Sequence, residues 1–109
     1  MSEGFKNFAE FWPYYLGEHA KPTTRALHFA GTGAGLVLTA TALISGNYSL
    51  LLVALVCGYG PAWIGHFFVE KNRPATFRHP LWSLMADFRM FFLFITGRLS
   101  AELNRHGIG

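Results

Sequence analysis

One long stretch without a formal charge limits what this chain can fold into. No Asp, Glu, Lys or Arg stands between Arg25 and Glu70, and across the 44 intervening positions the only side chains that can become cationic are the imidazoles of His28 and His66. A helix that crosses a bilayer needs about 20 apolar residues. The stretch therefore has room for two spans and a short turn, and it predicts a transmembrane helical hairpin.

The remaining composition agrees with a membrane protein of one domain. Only 14% of the 109 residues are charged, against roughly 25% in ordinary soluble domains. The net charge of +3 is spread along the chain, so a nucleic-acid partner is not expected. The lone Cys57 excludes a cysteine-rich zinc or iron–sulfur site. We predict an all-α, membrane-embedded domain over residues 1–109.

The hairpin is predicted to consist of helices over residues 24–45 and 49–70, with its turn in "SGNYS". Gly31 and Gly35 form a pair of small residues one helical turn apart, which permits close contact between two membrane helices. Gly58, Gly60 and Pro61 are expected to loosen or kink the second helix.

Further helical segments flank the hairpin. The aromatic N-terminal segment "FKNFAEFWPYYLG" suits either the membrane interface or packing against the core, and Pro13 predicts two short pieces that meet near Trp12. The last helix is predicted to start near Leu81. It carries Asp87 and Arg89, which a plain lipid-facing span would not keep. It is therefore either a third span with these side chains turned inward or a helix lying in the interface.

The basic residues predict the orientation of the hairpin. They stand at its two outer ends, and its turn has none; they are Lys21, Arg25, Lys71, Arg73 and Arg78. Lys and Arg favour the cytoplasmic side of a membrane. We therefore expect the outer ends to be cytoplasmic and the turn around Asn47 to face the opposite side.

Two histidines stand at matching positions of the predicted hairpin. His28 is nineteen residues before Asn47, and His66 is nineteen residues after it. At 1.5 Å of rise per residue, each lies roughly 28 Å from the turn. Antiparallel helices then bring the two imidazoles to the same depth. Glu70 follows one turn beyond His66, on the same face.

Two more histidines belong to the same end of the molecule. His19 immediately precedes the first hairpin helix, and His79 precedes the last helix. His106, in the C-terminal tail, is not expected there. A lone histidine at a helix end is usually only hydrogen-bonded, but four converging imidazoles and a carboxylate are ligands that iron, zinc or manganese accept. We therefore predict a metal centre, with Glu70 either as a ligand or as the acceptor that fixes an imidazole N–H.

Charged side chains near this end have two interpretations each. Arg25, Lys71 and Arg73 are candidates for binding a substrate carboxylate, and the alternative is contact with lipid phosphates. Asp87 is a candidate partner for a ligand imidazole, and the alternative is an ion pair with an arginine.

Three stretches carry a resemblance to a known family: "YYLGEHAKPTTRALHFAGT", "GYGPAWIGHFFVEKNRPATF" and "HPLWSLMADFRMF". They resemble the small membrane family of the fungal protein named for metabolism of phytosphingosine to odd-numbered fatty acids. The similarity runs in order from about Phe8 to Gly97. It implies an iron(II)-dependent dioxygenase that converts a 2-hydroxy fatty acid into a fatty acid one carbon shorter, without 2-oxoglutarate.

The resemblance also implies site residues and partners. The family's histidines fall on His19, His28 and His66, and its glutamate on Glu70, whereas the fungal protein differs around His79. The implied partners are a 2-hydroxy fatty acid, O2 and membrane lipids. The same interpretation allows a homo-oligomer. The chain is shorter than the fungal protein, which favours a bacterial inner-membrane protein; a eukaryotic member would lie in the endoplasmic reticulum.

The main alternative is a membrane module without catalytic activity. Its histidines would hold a structural zinc ion, or haem through two imidazoles that face each other across the hairpin.

The predicted orientation can be tested by cysteine labelling in intact membranes. In a chain with Cys57 replaced by Ala, a cysteine in place of Asn47 should react with an impermeant maleimide only from the non-cytoplasmic side. A cysteine in place of Arg73 should react only from the cytoplasmic side. Labelling of position 47 from the cytoplasm would contradict the prediction.

Overall fold

The computed structural model describes residues 5–108, and over these residues the backbone is helical, with no strand. The helices are α1 (Phe8–Gly17), α2 (Pro22–Ser45), α3 (Leu50–Ile64), α4 (Pro80–Ile95) and α5 (Leu99–Arg105). A π-helical segment, Gly65–Glu70, continues α3, and a short 3-10 turn covers Ala75–Phe77. The all-α architecture with a central hairpin and helices on either side is thus confirmed.

The hairpin begins and ends where local chemistry allows. Pro22 occupies the first turn of α2, where its missing N–H costs no helical hydrogen bond. Gly46 ends α2 with φ of 76°, and its N–H donates to the carbonyl oxygen of Ala42. Because that left-handed conformation suits glycine, the chain can reverse over a few residues and enter α3.

The two hairpin helices touch through their backbones. A Cβ atom added to Gly31 would lie 2.8 Å from the carbonyl oxygens of both Cys57 and Gly58. One added to Gly35 would lie 3.2 Å from the carbonyl oxygen of Ala54. Small residues at these positions therefore allow the close approach that stabilises helix pairs in membranes.

The outer surface of the hairpin is apolar. Val37 is 66% exposed, Ile44 88% and Leu52 69%. In the 18-residue apolar stretch of each hairpin helix, only 17% and 22% of the residues are buried within the protein. A core helix of a soluble protein would bury most of that surface. Both helices are also long and apolar enough to cross a membrane, so lipid is the environment that suits them.

One predicted interruption is wrong. α1 runs unbroken through Pro13, because Phe11, Trp12 and Tyr15 are buried against the core and their packing outweighs one lost hydrogen bond. α3 stays α-helical through Pro61, and the helical geometry changes four residues later, at Gly65, where the π-helical segment begins.

The aromatic core lies beside the outer ends of the hairpin. α1 packs on α4, and the cluster includes Phe11, Trp12, Tyr15, Leu16, Ala86, Met90, Leu99 and Leu103. Of the two interpretations of the N-terminal helix, this packing favours a core helix. α4 turns Asp87 inward, where its side chain is 14% exposed.

A carboxylate joins the two ends of this core. The indole Nε1–H of Trp12 donates to Oε2 of Glu102 at 2.7 Å, and Arg105 donates to both oxygens of Glu102 at 2.8 and 2.9 Å. The guanidinium of Arg89 lies 4.4 Å from the Trp12 ring centroid. The Trp12 hydrogen bond, assisted by Arg105, lowers the pKa of Glu102 to about 2. α5 is thereby held to α1.

We predict that Glu102→Gln lowers the free energy of unfolding in detergent by about 1–2 kcal/mol, because a charged acceptor becomes neutral. The folded state stabilises the ionised carboxylate of Glu102. This contribution to the free energy of unfolding is therefore complete above the ordinary pKa of 4.5 and is lost as the pH falls towards about 2. Tryptophan fluorescence during denaturation at pH 7 and pH 3 measures both effects. The matched control is Glu10→Gln on the exposed side of α1; an equal loss in the control would contradict this role of Glu102.

Candidate metal centre

Three buried histidines converge where the outer ends of the helices meet. His19 lies in the loop after α1, His28 lies in α2, and His66 lies in the π-helical segment. The Nε2 atom of His19 is 2.8 Å from that of His28 and 3.0 Å from that of His66, and the remaining pair is 3.4 Å apart. The equal offsets of His28 and His66 from the turn thus correspond to side chains that meet.

The opposite nitrogen of each ring faces an acceptor. His19 Nδ1 is 2.7 Å from the carbonyl oxygen of Tyr15, and His66 Nδ1 is 2.6 Å from Oδ1 of Asn72. The Asn72 amide is oriented by its own Nδ2, which donates to the carbonyl oxygen of Glu18 at 3.1 Å. Since these oxygens only accept, Nδ1 carries the proton in both rings.

The third ring follows the same pattern at longer range. His28 Nδ1 lies 3.7 Å from Oδ1 of Asp87, which favours a proton on that nitrogen. The Nε2 atoms of the three imidazoles converge, and with the proton of each ring on Nδ1 they direct lone pairs at one another. Such an arrangement is repulsive unless a cation lies between them. Metal-binding histidines typically donate their other N–H to a carbonyl or carboxylate in this way. The group can accordingly hold a metal ion.

Burial favours the ligand form of His19. It lowers the pKa of this imidazole well below its ordinary value, and the neighbouring His28 and His66 rings lower it further. A neutral ring is the form that binds a metal. The cavity among the three rings measures about 10 Å³, room for one ion or water molecule.

Asp87 is held by a phenol as well as facing an imidazole. The hydroxyl of Tyr15 donates to Asp87 Oδ1. Burial raises the pKa of Asp87 to about 7, opposed by this hydrogen bond. Burial also raises the pKa of Tyr15, and the adjacent carboxyl raises it further. Of the two interpretations of Asp87, the contact with His28 favours the partner of an imidazole.

Glu70 lies at the start of α2. Its Oε2 accepts the backbone N–H of Lys21 at 2.6 Å, and Lys21 Nζ donates to the carbonyl oxygen of Val69 at 3.2 Å. A carboxylate is favourable near a helix N-terminus, where unpaired N–H groups concentrate. Glu70 thereby ties the end of the π-helical segment to the helix that carries His28, and the structure does not bring it into the histidine group.

His79 also lies apart from the three rings. Its carbonyl oxygen accepts the N–H of Ser83 at the start of α4. Its ring stacks on Trp82, with centroids 5.5 Å apart, and meets Phe11 at 5.3 Å. Packing in the aromatic core therefore fixes its position. His106 is at the end of α5, with Nε2 3.4 Å from Glu102, away from the group as expected.

The three basic candidates have different surroundings. Arg25 Nη1 donates to the carbonyl oxygens of His19 and Ala20 at 2.8 and 2.9 Å, which holds the loop that carries His19. Lys71 is exposed and ends the π-helical segment with φ of 64°. Arg73 lines a pocket of about 340 Å³ that shares Pro74 and Ala75 with the histidine cavity.

Sequence reasoning missed Asn72 and the carbonyl group of Tyr15 as partners of the imidazoles. Asn72 lies within the motif "GHFFVEKNRP", whose spacing assigns it no role. The left-handed conformation of Lys71 turns the chain back, so that the Asn72 N–H reaches the carbonyl oxygen of His66 at 2.8 Å. The signal in the sequence is an asparagine between Lys71 and Arg73.

Comparison with known proteins identifies one family. Residues 5–99 match the model of the family described as Mpo1-like, 2-hydroxy-palmitic acid dioxygenase Mpo1-like. No curated protein and no solved structure matches the chain.

Removing any one ring of the group should abolish metal binding. His19→Ala, His28→Ala and His66→Ala each leave two nitrogens and should lose nearly all bound metal, measured by elemental analysis after anaerobic purification. His79→Ala and His106→Ala, which alter rings outside the group, should retain it. Full metal content in His66→Ala would show that the ion lies elsewhere.

The amide of Asn72 should strengthen metal binding without being required for it. Asn72→Ala removes the acceptor of the His66 N–H, so metal affinity should fall by about 10- to 100-fold in a competition titration with a chelator. Asn104→Ala, on the exposed side of α5, is the matched control. Unchanged affinity in Asn72→Ala would mean that the His66 ring is oriented by its packing alone.

Proposed function

The chain belongs to the Mpo1-like family of 2-hydroxy-palmitic acid dioxygenases, and from that premise we propose that it is an iron(II)-dependent dioxygenase of 2-hydroxy fatty acids. The observation that carries the proposal is the convergence of three imidazole Nε2 atoms at one buried point. The family name implies dioxygenase activity, and the matched motifs bear out the resemblance found in the sequence.

His19, His28 and His66 would hold the metal. Imidazole ligands suit iron, zinc, copper and nickel alike. Oxygen chemistry needs a metal that changes oxidation state, which excludes zinc. Among the other metals, iron(II) is proposed because the family resemblance implies it. When bound, it supplies activation of O2 and a positive charge for the carboxylate and 2-hydroxyl of the substrate. Three protein ligands leave positions for both.

The proposed reaction balances without a second organic substrate. A 2-hydroxy acid, RCH(OH)COOH, and O2 give RCOOH, CO2 and H2O. The bond between the carboxyl carbon and C2 breaks, C2 becomes the new carboxyl carbon, and the two carbons of the substrate supply all the electrons that reduce O2. This agrees with the absence of a requirement for 2-oxoglutarate that the family resemblance implies.

The surrounding residues have supporting roles in the proposal. Asp87, held by Tyr15, faces Nδ1 of His28 and favours a proton there, which leaves Nε2 available. The burial of the three rings excludes water from reactive species. Arg73, in the pocket next to the site, attracts the substrate carboxylate, and the exposed Lys71 adds positive charge nearby.

Glu70 and Arg25 act on the site through the backbone in this proposal. Glu70 positions the start of α2, and Arg25 positions the His19 loop. His79 supports the same end of the molecule from the aromatic core.

The alternatives are less well supported. Haem needs two imidazoles on opposite faces of a porphyrin, whereas the Nε2 atoms here approach to 3.4 Å or less around a cavity of about 10 Å³. A structural zinc site typically has four protein ligands, often cysteines. The group has three imidazoles, the number that leaves open positions at catalytic metal centres.

The proposal also covers location and assembly. Residues 1–109 form one membrane-embedded domain, in the inner membrane of a bacterium or in the endoplasmic reticulum of a eukaryote. Its partners are a 2-hydroxy fatty acid, O2 and membrane lipids, and a homo-oligomer is compatible with the exposed apolar hairpin.

The activity test uses full-length protein purified without oxygen and loaded with iron(II). With 2-hydroxy-palmitic acid it should consume O2 and release CO2 and the fatty acid one carbon shorter. The zinc-loaded protein should be inactive, because zinc has no redox chemistry. His28→Ala and His66→Ala should lose turnover, and His106→Ala should keep it.

The same preparation distinguishes the alternatives. Equal activity with zinc, or a product of unchanged carbon number, would contradict the proposed reaction. A Soret band from the purified protein would support haem, and stoichiometric zinc without oxygen uptake would support a structural site.

A further inference from the structure

An apolar groove lies between α2, α3 and α4. It has a volume of about 410 Å³, within the roughly 300–1,000 Å³ typical of ligand pockets. Its walls include Leu36, Ala54, Leu55, Leu84 and Phe88. Several of these side chains are partly exposed on the surface that faces lipid, so the groove is open along its side.

The groove adjoins the histidine site. Tyr59 and Asp87 line both the groove and the small cavity among the three imidazoles. On α2, the groove begins at Thr32, one turn beyond His28, and reaches Thr39. These eight residues span roughly 10 Å of helix, directed away from the charged ends of the hairpin and towards its turn.

We propose that this groove binds the acyl chain of the 2-hydroxy fatty acid, while the carboxylate and 2-hydroxyl lie at the three histidines. The inference rests on the proposed function and adds the residues that select the substrate. A polar end that opens into an apolar groove matches a single-chain amphiphile.

The groove acts on selectivity more than on affinity. An acyl chain that leaves the bilayer for the groove exchanges one apolar environment for another, so its transfer is only weakly favourable. What the groove provides is alignment: the chain direction is set by α2 and α3, which places the first two carbons at the metal. Blocking its far end should therefore discriminate against long chains and spare short ones.

Thr39→Trp tests this selectivity, because Thr39 is the lining residue of α2 furthest from His28. We expect kcat/KM for 2-hydroxy-palmitic acid to fall by about tenfold or more, with little change for 2-hydroxyoctanoic acid. The matched control is Ala40→Trp, an exposed neighbour that does not line the groove. An identical chain-length profile in the two variants would overturn the proposal.

Photo-cross-linking tests the same groove without relying on turnover or on a substitution. The unaltered protein in lipid nanodiscs is irradiated with a 2-hydroxy fatty acid that carries a diazirine at its far end. We expect labelling near Thr39 and Leu51, which excess 2-hydroxy-palmitic acid suppresses and Thr39→Trp removes. Labelling that the competitor does not suppress, or that falls on outward-facing Val37 and Val56, would overturn the groove.

The two readouts separate the inference from the reaction. Suppressible labelling in the groove without oxygen uptake supports the groove and contradicts the proposed dioxygenase activity. Turnover with labelling confined to the outer surface supports the dioxygenase activity and contradicts the groove. If neither turnover nor suppressible labelling is found, both proposals fail.

Discussion

The mutual approach of three imidazole Nε2 atoms is the interaction on which the rest of the structure depends. Each ring comes from a different element, and each element has its own restraint. The His19 loop is held by the guanidinium of Arg25, and the start of α2 by the carboxylate of Glu70. The His66 ring is held by the amide of Asn72. These contacts hold together nitrogens that would otherwise repel one another, which is the expected architecture of a preorganised cation site.

Close helix packing makes the approach possible. Gly31 and Gly35 bring α2 against the backbone of α3, and at Gly65 an added Cβ would lie 3.0 Å from the Thr24 side chain. Larger residues at these positions would separate the helices that carry His28 and His66. The glycine pattern and the histidine pattern are therefore parts of one arrangement, since the first sets the distance that the second requires.

Sequence reasoning reached the fold and the pairing of His28 with His66, because charge-free length and residue offsets along straight helices are regular quantities. It did not reach Asn72, whose position follows from the left-handed turn at Lys71. The roles expected of Glu70 and His79 assumed that all polar groups at one end converge. In the structure a helix N-terminus attracts the first and aromatic packing holds the second. The break expected at Pro13 failed because tertiary packing outweighed a local preference.

The chain separations within the histidine group give a bound ion a mechanical role. His19 and His28 are 9 residues apart, and His28 and His66 are 38 apart. An ion held by all three would close a short loop and a long one at a single point, as a reversible cross-link does. Such closure restricts the chain most where the loop is long, and ligands that bind only the folded state raise its stability. Supply of the metal would then affect how long the folded protein persists as well as whether it reacts. A melting temperature that chelation leaves unchanged would argue against this link between metal binding and stability.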